Sequence, residues 1–292
     1  MLMVGIVSLA AQSVSHIYVS ADAGWSGLLD SRRLASPSFG GGGSVGAGYE
    51  LRHKAFLLQV GLSGSYACLV SGLRDETFHV AGTDTEGDAC TFHFRFTERT
   101  NTLQTVSLQV PLLLGGAWNH FYLLAGPELT ASLYGSGSAA ASVETTATYE
   151  GISGTFAGME NHSLGKGIVR SEAKPFSLGL GLRLKAEFGW VFGTQTGRET
   201  GFDAPKASSV QYRLGVFASY GLLDRYRPAD RGPAVSWHNT ADAPGFAFDM
   251  NHIYASSAAA EPRVALNDLA LGLRFTVLFR LPGRRICVIC PY

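Results

Sequence analysis

Histidine, cysteine and carboxylate side chains are the groups with which this chain could do chemistry, and their spacing says little for catalysis. The 292 residues hold eight histidines and four cysteines. His79, His93, His120, His162, His238 and His252 fall in loops, turns or strand extensions. None forms a His-x-x-x-His or His-Glu-x-x-His pair, so the ligand frame of a zinc hydrolase is missing. His238, Asp242 and Asp249 with a loop serine could be written as a nucleophile, base and acid at a barrel rim, the set a lipid-modifying enzyme would use. Solvated loop residues explain them more simply. Cys287 and Cys290 form one C-x-x-C in the tail, without the second pair of a structural zinc site or the βαβ setting of a redox motif. Cys68 and Cys90 flank a polar stretch and are either a disulfide of an oxidising compartment or two thiols. Gly40 to Gly43 precede no Gly-Lys-Ser/Thr and read as a flexible loop tip, not a phosphate cradle. No catalytic residue, metal ligand or cofactor site is assigned.

Charged residues of a second kind sit inside apolar stretches. Asp22, Glu50, Glu128, Arg183, Lys185, Glu187, Arg213, Asp268, Arg274 and Arg280 each alternate with apolar neighbours. Successive strand residues point to opposite faces, so alternation puts these charges on one face and the apolar residues on the other. From Leu269 to Leu281 the odd positions are Leu269, Leu271, Leu273, Phe275, Val277, Phe279 and Leu281. Leu180, Leu182 and Leu184 continue to Phe192 in the same way, opposite Arg183, Lys185 and Glu187, and Leu214 lies in a third such stripe opposite Arg213. The last stripe is long enough to cross a bilayer when tilted, for which about 9–11 residues suffice.

The elements that position these residues are strands. Eight apolar stripes emerge, beginning near Ile17, Val45, Phe56, Val106, Phe121, Phe176, Tyr212 and Leu269. Short turns at Arg52 to Ala55 and at Trp118 to His120, and a longer one from Thr194, alternate with long polar connections. Gly72 to Cys90, Gly135 to Lys174 and Leu223 to Ala265 read as loops. Phe92, Phe94 and Phe96 read as a strand continuing beyond the membrane or a separate hairpin. Residues 91–97, 142–156 and 245–254 would bring the count to ten if they too are strands. Short turns on one side and long loops on the other are the pattern of outer-membrane barrels, with the turns periplasmic and the loops extracellular.

Composition agrees. Charged residues make up 16% and hydrophobic residues 46%, with 36 glycines, whereas soluble domains average about 25% charged. Net charge is zero, so the basic face of a nucleic-acid binder is missing. No apolar run is long enough for a transmembrane helix, which leaves a closed barrel as the way to cross lipid. A soluble eight-stranded ligand-binding barrel would alternate too, with its apolar face inward. Aromatic residues at strand ends, and charges interleaved with glycine on the polar faces, favour the membrane. Met1 to Ala11 resembles the apolar core of a secretory signal lacking its basic start.

The segments Val110–Trp118, Phe121–Leu129, Thr200–Lys206, Tyr212–Leu223 and Leu271–Pro282, with the trailing C-V-I-C, resemble the outer-membrane β-barrel domain of porin-family proteins. The likeness covers most of residues 14 to 290. It implies a small eight-stranded barrel related in architecture to OmpA-type proteins, and no catalytic residue.

The expectation is therefore an all-β, transmembrane antiparallel β-barrel of eight strands. Residues 1–13 are expected to be a signal peptide, 14–281 the barrel and 282–292 a short periplasmic tail. The ten charges above should line a plugged, salt-bridged lumen, and Leu180, Leu182, Leu184, Leu214, Leu269, Leu271, Leu273, Phe275, Val277 and Phe279 should face lipid. The function expected is a non-enzymatic outer-membrane protein of a Gram-negative-type bacterium with a structural, recognition or adhesion role. A small-solute channel and a lipid-modifying enzyme are the alternatives. Its partners would be outer-membrane lipid, the barrel-assembly machinery and an unidentified extracellular ligand, with no nucleic acid.

Overall fold

In a computed structural model, residues 13–30, 39–72, 75–84, 87–157, 164–170, 174–175, 179–192, 210–223, 236–240, 243–249 and 266–281 are described. The expected signal peptide, the tail with Cys287 and Cys290, and Asp242 lie outside them. So do the side chains of His238 and Asp249.

Alternating sequence produces strand throughout, and no helix occurs among the described residues. In chain order the strands are β1 (Ser13–Asp30), β2 (Phe39–His53), β3 (Phe56–Gly72), β4 (Glu76–Thr83), β5 (Ala89–Trp118), β6 (Phe121–Tyr149), β7 (Gly165–Arg170), β8 (Lys174–Pro175), β9 (Leu180–Phe192), β10 (Val210–Gly221), β11 (Ser236–Thr240), β12 (Ala243–Asp249) and β13 (Leu266–Arg280). Eight of them, β1, β2, β3, β5, β6, β9, β10 and β13, pair antiparallel in a ring. The ring closes where Val19 meets Val277 and Trp25 meets Leu271 between β1 and β13. Closure removes the open edges that a flat sheet would expose. β11 and β12 form a separate hairpin.

Two tight turns set the register at one end. His53 pairs with Phe56 and Trp118 with Phe121. Each turn starts on a residue with positive φ, Lys54 at 55° and Asn119 at 53°. Asn tolerates this conformation; for Lys it is uncommon. Pro111, which has no N–H to give a ladder, sits where the β3–β5 register breaks off at Val60↔Leu112 and resumes at Ser63↔Gln109.

Several expected loops are strand. Gly40 to Gly43 lie within β2, paired with Leu69 to Tyr66 and with Ser26 to Ala23. Glycine is needed there by close approach: a Cβ on Gly42 would stand 2.7 Å from the Tyr66 carbonyl oxygen. Gly72 to Cys90 contains β4, and Gly135 to Lys174 contains the upper half of β6 together with β7 and β8. β5 and β6 are thus 30 and 29 residues long, roughly 100 Å at about 3.4 Å per residue, far more than a bilayer requires. Their upper parts, flanked by β4 and β7, make a four-stranded blade standing beyond one rim of the ring.

The blade has a core of its own. Phe92, Phe94 and Phe96 are buried with Ala139, Ala141, Val143, Ala147 and Leu164. Large residues on β5 oppose small ones on β6, as in Phe92↔Ala147 and Phe96↔Val143. Two irregularities connect blade to ring. The β5–β6 register shifts between Thr97 and Thr100, where Glu98 has φ 51°, and again between Val106 and Ser107. An extra residue flips the inward parity of a strand. On β5 the buried positions are accordingly even above Glu98 and odd below it.

Candidate functional site

Two regions carry polar residues in numbers, the interior of the ring and the blade. Inside the ring, even positions of β1, β2, β6 and β13, and odd positions of β9, β10 and lower β5, point inward. The charges form a continuous lattice along the axis. Nearest the tight turns, Arg213 donates two hydrogen bonds to Glu50, at 2.5 and 2.7 Å, and His16 lies 3.9 Å from the same carboxylate. Further along, Arg274 lies 3.3 Å from Glu187, which also accepts a 2.6 Å hydrogen bond from Tyr122. Arg274 reaches Asp22 at 3.5 Å and donates to Ser20 Oγ at 3.0 Å. Asp22 accepts from Lys185 at 3.1 Å and from Ser44 at 3.0 Å. Lys185 and Arg183 then approach Glu128 at 3.6 and 3.7 Å. Aromatic faces complete it: Tyr122 lies 4.9 Å from the Arg213 guanidinium carbon, Phe217 5.0 Å from Lys185 Nζ, and Tyr18 5.9 Å from the Arg274 guanidinium carbon.

Four carboxylates therefore meet four bases with no surplus of either sign. Desolvating that many charges is costly, and the cost is offset only when each meets an opposite charge and further hydrogen bonds. Glycine makes the space. A Cβ on Gly61 would collide with the Tyr18 hydroxyl, and one on Gly215 with the Tyr122 hydroxyl.

Eight of the ten expected interior charges are brought together here. Asp268 sits half-buried at the far rim, where it lines a cavity, away from the lattice. Arg280 is a correction. It is exposed, at the last position of β13. Of the two alternatives for Cys68 and Cys90, the structure has two thiols: both cysteines are free. Cys68 pairs in register with Gln104 on β5. Cys90 lies fourteen residues further along that strand, roughly 48 Å at about 3.4 Å per residue. The Cys90 thiol is pushed up by burial, then by Asp84 and Asp88.

Alternation missed the apolar part of the interior. Leu57, Leu113, Ala117, Leu124 and Val191 are buried together around Tyr122, close to the tight turns. Their signal was present as consecutive apolar residues, Phe56-Leu57-Leu58, Leu112-Leu113-Leu114 and Leu123-Leu124, which fill both faces at once. Beyond the lattice, toward the blade, lies an open cavity of about 690 Å³, counting solvent at its mouth. It is floored by Asp22, Lys185, Arg183 and Glu128, and walled by Ser44, Ser65, Ser107 and Gln109.

The outer face of the ring is apolar. Leu180, Leu184, Leu214, Leu271, Leu273, Phe275 and Phe279 are exposed, and Leu182, Leu269 and Val277 share their parity and are half-buried. Around them the belt is mostly aliphatic in the middle, with Phe188 and Phe275 also exposed. Near the tight turns it is aromatic, with exposed Tyr49, Phe56, Trp118, Trp190, Phe192, Tyr212 and Phe279. Exposed Phe39, Tyr66, Tyr134 and Tyr220 mark the other end.

On the blade, Tyr149 donates to Asp84 at 3.0 Å. Burial, that hydrogen bond and the Asp84 charge push its hydroxyl up to about 12. Among the described residues no three His, Cys, Asp or Glu side chains are grouped to hold a metal ion.

No family model matches the chain, the porin family included, and no curated protein matches it. Among solved structures, Neisserial surface protein A (NspA) is similar over 89% of this chain and 96% of its own, at 11% identity and a TM-score of 0.33. A likeness that weak carries no weight for function.

Proposed function

We propose that this chain is a non-enzymatic outer-membrane β-barrel protein of a Gram-negative-type bacterium, anchored by its ring and presenting the blade outside the cell. One observation carries the reading: the outward belt is mostly aliphatic at mid-height and rich in aromatics at both ends. Aromatic girdles flanking an apolar band are what the two lipid interfaces select. A soluble barrel would put its apolar face inward, and here that face is outside while the charges are within. The tight turns then face the periplasm, and β5 and β6 rise from the outer surface. Lipid and the barrel-assembly machinery are the partners such an anchor requires, and the blade is the surface for recognition or adhesion.

The lattice and the apolar cluster at the periplasmic end make this ring an anchor and not a conduit. The test is purification in detergent, gel migration before and after boiling, and planar-bilayer recording. Expected are heat-modifiable migration and no stable open level. A protein that stays monodisperse without detergent would overturn the membrane reading, and steady conductance would favour a small-solute channel.

A further inference from the structure

The polar face of the blade holds a histidine cluster that the anchor does not use. His79 on β4 and His93 on β5 are register partners, so both side chains leave the sheet on one face. Their rings stand edge to face with centroids 4.6 Å apart, and their Nδ1 atoms are 2.5 Å apart. On its other side, His93 Nε2 lies 2.9 Å from Thr148 Oγ1 of β6. A hydrogen bond at one ring nitrogen sets which nitrogen carries the proton. With the proton on Nε2 and donated to Thr148, the Nδ1 lone pair of His93 points at His79. His79 is exposed on an edge strand, so its ring can turn to present the matching lone pair.

We propose that His79 and His93 form a two-histidine, cross-strand site for a divalent late transition-metal ion, binding Cu²⁺ more tightly than Zn²⁺ or Ni²⁺. Imidazole nitrogen suits these ions, and the order follows their general ranking. Two imidazole nitrogens at about 2.0–2.1 Å from one ion stand about 3 Å apart. The pair therefore has to open by about half an ångström, which rotation of the exposed His79 ring supplies. Water fills the remaining positions. Thr148 acts behind the ligand, orienting His93 as outer hydrogen-bond partners orient metal-bound imidazoles. One register row along the same face stand Thr77, Arg95, Glu144 and Lys166. Glu144 is paired with Lys166 at 3.2 Å, and Arg95 leaves the row one positive charge in excess, so the affinity rests on the two nitrogens alone. A bound ion would tie β4 to β5, and binding to the folded blade stabilises it in proportion to the logarithm of ion concentration.

The experiment titrates the full chain in detergent with CuCl₂ by calorimetry and follows hydrogen exchange of β4. The wild type should bind one more Cu²⁺ than either His79→Ala or His93→Ala, whatever the other histidines and the C-terminal cysteines bind. Copper should slow exchange across Glu76–Thr83 in the wild type and not in the variants. Thr148→Val should keep the site with affinity lower by about tenfold. Equal stoichiometry in wild type and both variants would overturn the proposal. So would β4 exchange in the wild type that copper leaves unchanged, a readout that needs no variant to fold.

Discussion

Glu50 and Arg213 show how much a single residue can weigh in this interior. Both are almost fully buried and joined by two hydrogen bonds. Glu50→Ala leaves a buried guanidinium without its counter-charge, and removing one partner of such a pair costs about 3–5 kcal/mol. A urea titration in lipid should record that loss. Replacing both, as Glu50→Leu with Arg213→Met, should recover most of it, because the apolar cluster of Leu57, Leu113 and Leu124 lies at the same end of the ring. Gly61 gives a second test. Gly61→Ala should destabilise by meeting the Tyr18 hydroxyl, and adding Tyr18→Phe should relieve part of the loss. If Tyr18→Phe brings no relief, the clash lies with the β2 backbone instead.

At the scale of elements, the blade and the ring hold separate cores. Phe94 is wholly buried among residues of the blade. Phe94→Ala should cost about 3–5 kcal/mol locally and quicken proteolysis of residues 76–97 and 139–149, while the ring keeps its heat-modifiable migration. Equal loss of both would show one cooperative unit. Tyr149 makes the blade sensitive to alkali. Its hydroxyl ionises at about 12 when folded against about 10 when unfolded. Between those values the unfolded chain has lost a proton that the folded one keeps, so stability falls as pH rises from about 10 to about 12. Exchange of the β5–β6 amides in the blade should therefore speed up across that window, and Tyr149→Phe should remove this part of the dependence.

For the whole molecule, the question is which solvent meets the belt. Leu273 lies near mid-height of β13, opposite Ala23 and Val216, and is 59% exposed. If that surface meets lipid, Leu273→Arg should cost about 2–4 kcal/mol. On a water-facing surface the same change stays within about 0.5 kcal/mol. Denaturation of the variant in liposomes decides between the two.

Much of the ring was legible in the amino-acid sequence. Strand alternation has a period of two and needs no partner to be read, so the eight stripes, the exposed parity of Leu271, Leu273 and Phe275, and the inward parity of Glu50, Lys185 and Arg213 follow from the residues alone. What alternation cannot carry is distance along a shared strand or the end of a wall. The sequence placed Cys68 and Cys90 on either side of a polar stretch; the β3–β5 register put them roughly 48 Å apart at about 3.4 Å per residue. Parity put Arg280 inside; at the last position of β13 it is exposed. The upper half of β6 hid as a loop because its inward residues, Ala139, Ala141, Val143, Thr145 and Ala147, are small or polar, while the phenylalanines of β5 supply the bulk of that core. The pairing of His79 with His93 was hidden as well, since register between two strands belongs to neither strand's sequence. Side-chain alternation is a local property of one strand, and it fixes which face a residue takes. Which residues meet across the sheet is decided by register and bulges, and these exist only once the strands have paired.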